Sequence, residues 1–130
     1  MFLFRAMQPD PRDGKPLVGT RRGMLGVRSA DPTDLPPQKP DMPGAASGSD
    51  FVYPGRCEGM STNTVRATIV PKRVEVVWMI DASLLTGWNL ASEIDPQNSE
   101  HVIITPGGEM TLDEFQTALR LTRDAWVRVS

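Results

Sequence analysis

Val74-Glu-Val-Val-Trp-Met-Ile-Asp81 is the stretch on which the fold turns. It is too short for a typical helix, and β-branched and aromatic residues dominate it, so it reads as a buried strand. Lys72-Arg73 before it are turn charges. Further out, Phe2 to Met7 (FLFRAM) alternates: Phe2 and Phe4 take one face and Leu3, Arg5 and Met7 the other. Arg5 thus shares a face with apolar neighbours, an uncomfortable place for a guanidinium unless a cleft or an anion is near. His101 to Thr105 (HVIIT) reads as a further strand, ended by Pro106-Gly107-Gly108, and Met24 to Arg28 (MLGVR) as a short one.

The pattern changes period after Met110. Thr111 followed by Glu114 is a capping box. Leu112, Phe115, Ala118, Leu119, Thr122 and Trp126 then recur at helical spacing, with Arg120, Arg123 and Arg128 placed late, where the macrodipole favours cations. Strands followed by a terminal helix give an α+β domain. With 130 residues, 1–130 reads as a single domain.

Eleven glycines and twelve prolines put much of the chain into turns and long connections. Gln8 to Gly23 reads as turns. Ser29 to Asp50 reads as one long loop, of the length that is usually functional or disordered. Gly55 to Thr64 (GRCEGMSTNT) is small and polar, more like the lip of a site than a core strand, and Thr86 to Glu93 reads as a turn and an edge segment. Trp78 and Trp126 read as core. Trp88, in a polar setting, reads as a partly exposed packing residue, with stacking on a base as the alternative.

The formal net charge of −2 provides no field for non-specific nucleic-acid binding and argues against a nuclease. The lone Cys57 excludes an internal disulfide and suits a reducing compartment; the lone His101 excludes a multi-histidine metal site, and no metal is expected. The apolar start stops at Arg5, short of a secretory signal, and no segment reaches the roughly 20 apolar residues of a membrane span.

Four stretches in order give a resemblance: Leu3 to Met7 (LFRAM); Leu25 to Arg28 (LGVR) leading to Asp34-Leu35-Pro36; Gly59-Met60-Ser61; and His101-Val-Ile-Ile-Thr-Pro106 running into Met110 and LDEFQTALRLTRDAW. Together they resemble a type VI secretion effector family with an ADP-ribosyltransferase-like fold, a growth-arresting toxin family. The resemblance spans nearly the whole chain. It implies a split β-sheet sandwich of two packed sheets with a C-terminal helix and long Pro/Gly-rich loops, holding NAD as substrate. It places Arg5, Ser61 and His101 as catalytic residues, and Arg5, Met60, Ser61 and Tyr53 around the dinucleotide. It also implies a cognate immunity protein, an acceptor macromolecule, no membrane partner, and delivery without a signal peptide from the producing cell's cytoplasm to that of the target cell. The sequence departs from the wider transferase pattern in lacking a Glu or Gln two residues before a Glu on a late strand; Glu109 lies near the expected place, Glu114 is the helix cap, and Glu58 belongs to the Ser61 motif.

In such a site Arg5 would grip pyrophosphate or ribose oxygens, Ser61 would bond a ribose hydroxyl, and His101 would orient a hydroxyl or act as general base. Each residue has an ordinary alternative: an ion pair for Arg5, a turn or strand hydroxyl for Ser61, a structural role for His101. Cys57 as a nucleophile would need His101 as its base, and Gly107-Gly108 reads as a plain turn before a phosphate site. Two other functions stay open: an NAD glycohydrolase, and a non-catalytic binding or adaptor module using the Pro-rich segment from Pro32 to Pro43.

Overall fold

Six strands join into one antiparallel sheet around the first of them. β1 (Phe2–Met7) lies between β3 (Met60–Asn63) and β4 (Val76–Asp81), β6 (Asn98–Pro106) follows β3, and β5 (Leu90–Asp95) and β8 (Val127–Arg128) form the edges, in the order β5-β6-β3-β1-β4-β8. The computed structural model describes residues 1–30 and 39–130. The fold is α+β, with a ten-residue helix, α1 (Leu112–Leu121), near the C-terminus. β2 (Phe51–Val52) and β7 (Met110–Thr111) pair as a separate two-stranded ribbon. Where two packed sheets are expected, the described strands thus give one broad sheet and a ribbon. Among the described residues no helix is long and apolar enough to cross a membrane.

Strand alternation sorts the residues. Leu3, Met7, Met60, Trp78, Ile80, Leu90, Val102 and Ile104 share one face and are buried with Phe115, Leu119 and Leu112 of α1 in one apolar cluster. Phe115 and Leu119 are fully enclosed, and truncating such a phenylalanine typically costs about 3–5 kcal/mol. Trp78 satisfies its indole N–H on Met7 O at 3.0 Å, and Trp126 does so on Thr122 Oγ1 at 3.0 Å. Trp88, in the 3₁₀ turn Ala82–Trp88, packs half-buried against the same cluster.

The capping box forms: Glu114 N donates to Thr111 Oγ1 at 3.2 Å, and Thr111 N donates to Glu114 Oε1 at 3.1 Å. The helix stops sooner than its apolar pattern. Arg123 lies in the 3₁₀ turn Arg123–Ala125 and Arg128 in β8, so only Arg120 sits in the last helical turn. Arg123 instead reaches back to the N-terminal turns, gripping Asp13 through both nitrogens at 2.6 and 2.7 Å and Asp10 at 3.2 Å.

Two readings need correction. Met24 to Arg28 is not a strand but a buried loop, with Leu25 and Val27 in the core. Val27 donates its N–H to Gln116 Oε1 at 3.2 Å and accepts from Gln116 Nε2 at 2.7 Å, so a helix side chain replaces a neighbouring strand. Met60–Asn63 is an inner strand rather than a lip. Its buried threonine, Thr62, donates its hydroxyl to Val102 O at 2.7 Å, which removes the cost of enclosing it. Asp34-Leu35-Pro36 and the segment from Pro32 up to residue 38 lie outside the described residues. Just after them, Met42 and Ala45 are buried in the core.

Candidate functional site

The sheet is thinnest at one seam. β1 and β4 pair along six positions, whereas β1 and β3 pair only at Phe4↔Asn63. Past that pair a side chain takes over from the main chain. Arg5 belongs by alternation to the face of Leu3 and Met7, and its guanidinium spans the gap: Nη1 donates to Ser61 O of β3 at 2.8 Å and Nη2 to Met24 O at 2.9 Å. Nε is buried and has no partner. Among the described residues no carboxylate is within ion-pair distance of this guanidinium, and its N–H groups outnumber the two bonds they make. Burial lowers its pKa to about 10; the negative charge of Asp41 and Glu75 opposes that shift, and Arg28 adds to it.

Arg5, Ser61 and His101 line one cavity of about 420 Å³, together with Phe4, Asn63 and Glu75. That volume falls within the roughly 300–1,000 Å³ of small-molecule sites. A second cavity of about 430 Å³, lined by Cys57, Gly59 and Asp95, shares Ser61, His101, Arg28 and Asp41 with the first. The shared wall carries an ion pair: Asp41 Oδ2 accepts from Arg28 N at 2.7 Å and Oδ1 from Arg28 Nη2 at 3.2 Å. Burial pushes the Asp41 carboxyl up against the pull of Arg28.

Cross-strand register brings the polar residues together. Asn63 sits opposite His101, and Ser61 opposite Ile103, on the face turned away from α1. His101 Nδ1 lies 2.9 Å from Asp95 Oδ2. Glu93, one strand over, holds the 55–57 loop at the mouth of the second cavity: its carboxylate accepts from Gly55 N at 2.5 Å and Cys57 N at 2.8 Å. Cys57 adopts φ +50°, a left-handed conformation that these bonds hold in place. Its thiol is pushed up by partial desolvation and by the charge of Glu93, the reverse of what a nucleophile needs.

Two expected contributors stand apart. Met60 precedes Ser61 on the same strand, so alternation sends its side chain into the core, where it is 1% exposed; it lines neither cavity. Tyr53 is half-buried beneath the Arg56 guanidinium, 4.3 Å from its ring centre, and lines neither cavity either. The sequence reading also passed over Asp41, Glu75, Asn63 and Asp95. Asp95 carried a usable signal: it lies six residues before the histidine, across a proline-containing turn between two strands. Among the described residues, no group of three or more His, Cys, Asp or Glu side chains could hold a metal ion. No protein-family model, no curated protein and no solved structure matches the chain.

Proposed function

We propose that this domain is an NAD-directed, ADP-ribosyltransferase-like bacterial toxin that binds NAD at the seam between β1 and β3. The observation that carries the reading is Arg5: a half-buried guanidinium with no carboxylate partner among the described residues and with a buried, orphaned Nε–H, on a cavity shared with a serine and the one histidine. A cation partly withdrawn from water and held by carbonyls gains from an anion that completes it. A pyrophosphate supplies that charge, and the guanidinium fork suits its oxygens. Ser61 and Asn63 then serve the ribose hydroxyls, and His101 serves as base. Asp41 and Glu75 supply negative charge on the same cavity, the electrostatic help that an oxocarbenium-like ribose requires. They answer the absence of the family's paired glutamates.

On this reading the domain acts on a macromolecular acceptor in the target-cell cytoplasm and is silenced by a cognate immunity protein. The test is a thermal-shift titration with NAD on the intact chain, paired with chromatographic detection of released nicotinamide. A midpoint that rises with NAD and is insensitive to it in Arg5→Met supports the proposal. No shift at millimolar NAD counts against it. Nicotinamide release without a labelled acceptor would identify a glycohydrolase. Growth arrest that survives Arg5→Met and His101→Ala would identify a binding module.

A further inference from the structure

Among the described residues the histidine ring is tethered at one nitrogen only, and the β5–β6 hairpin builds the tether. The pairing shifts register between Ile94 and Asp95, so that Asp95 pairs with Asn98 and His101 follows on the returning strand. Asp95 Oδ2 meets His101 Nδ1 at 2.9 Å, and Asp95 Oδ1 accepts from Gln97 N at 2.9 Å, so the turn fixes the carboxylate itself. The hydrogen bond to His101, with that from Gln97, holds the Asp95 carboxyl below its usual range. The two side chains are 29% and 32% exposed, so the pair contributes little to stability and its effect is orientational. An ionised carboxylate can only accept. In the neutral ring the proton therefore sits on Nδ1, and Nε2, which bonds to no described residue, is the basic nitrogen. Besides Asp95, the charged groups among the described residues that line the two cavities the ring borders are Arg5, Arg22 and Glu75 in the first, Lys39 in the second, and the Arg28–Asp41 pair between them.

We infer that Asp95 is the positioning residue of the site, fixing His101 as its Nδ1–H tautomer so that Nε2 takes the proton of the attacking nucleophile. The chemical step rests on the NAD reading. The nucleophile forms a bond to the anomeric ribose carbon, and the bond from that carbon to nicotinamide breaks. Nicotinamide leaves neutral with the electron pair, and the proton of the nucleophile passes to Nε2. The imidazolium stands beside the Asp95 carboxylate until it releases the proton to solvent. The Ser–His–Asp arrangement of hydrolases uses a carboxylate in the same way, to set the tautomer and orientation of a histidine base.

A single histidine makes the tautomer directly readable. In ¹⁵N-labelled protein at about pH 8, above the usual imidazole range, a long-range ¹H–¹⁵N spectrum should show Nδ1 protonated. Asp95→Ala should move the ring toward the Nε2–H form preferred by free imidazole. Asp95→Asn keeps an acceptor for Gln97 N and turns an amide donor toward Nδ1, so it should give the Nε2–H form with the hairpin intact. With NAD, both variants should lose about 100-fold in kcat with little change in KM, the scale of a misplaced general base. An Nε2–H ring in the unmodified protein, or a tautomer indifferent to both substitutions, overturns the assignment; an altered tautomer with undiminished turnover overturns the proton-transfer role. If the tautomer responds as expected but the unmodified protein never consumes NAD, the NAD reading fails and the role of Asp95 in setting the ring stands.

Discussion

Gln116 of α1 satisfies both main-chain groups of Val27, 89 positions away, accepting at 3.2 Å and donating at 2.7 Å. One side chain thereby lets an irregular segment lie buried beside the helix. Gln116→Ala would strand an N–H and a carbonyl, each worth about 1–3 kcal/mol when buried without a partner. A loss of about 2–4 kcal/mol is expected in urea denaturation. Gln116→Glu should be similarly damaging, because a carboxylate cannot donate to Val27 O.

Arg5→Met separates stability from binding. Burial is the largest cause that lowers the guanidinium pKa to about 10, a net cost to the charged form on the order of 3 kcal/mol. The two carbonyl bonds it makes are together worth a similar amount. Denaturation should therefore register a change within about 1 kcal/mol, while the NAD-induced thermal shift disappears. A retained shift would rule out Arg5 as the anion-binding group. Arg5→Lys keeps the charge but not the fork, and should recover little of the shift.

Gly59→Ala probes the packing of the strand that carries Ser61. A Cβ there would lie 1.9 Å from Ile104 O, a main-chain atom with nowhere to retreat while β3 and β6 stay paired. A loss of about 3 kcal/mol is expected, the upper end for forced overpacking in a core. It should be visible as a large drop in melting temperature by circular dichroism.

Acid sensitivity follows from the N-terminal cluster. Arg12, by side-chain and then main-chain hydrogen bonds, lowers the Asp10 carboxyl to about 2, and Arg123 lowers Asp13. Both carboxylates favour the folded state above their unfolded value of about 3.9, and this contribution is lost as pH falls through the folded values. Asp41 works oppositely: its raised pKa is a cost at neutral pH that protonation relieves. Arg123→Ala should therefore move the midpoint of acid unfolding to higher pH, followed by the fluorescence of the buried Trp78 and Trp126. An unmoved midpoint would show that the cluster carries no pH-dependent stability.

What the sequence disclosed and what it hid follow from the range of the forces involved. Val76–Asp81, Phe2–Met7 and the Thr111–Glu114 cap were legible because periodicity and capping are local. The Met24 to Arg28 loop reads as a strand because its apolar content is strand-like, while the Gln116 side chain that replaces a partner strand lies far along the chain. Met60–Asn63 looked like a lip because Ser61, Thr62 and Asn63 are polar, and the Thr62 to Val102 bond appears only once the strands are paired. Arg5 was singled out correctly as a cation on an apolar face. The gap that receives it, and the Asp95 contact of His101, arise from register, which the pattern of residues alone does not set.

The lone Phe4↔Asn63 pair carries a consequence for how the domain could diversify. The halves β5-β6-β3 and β1-β4-β8 meet at a joint whose aperture is spanned by a side chain rather than stitched by successive main-chain bonds. Change the reach of residue 5 and the crevice is re-gauged while both halves keep their own lamination. A single codon can thus act as the calliper of that opening.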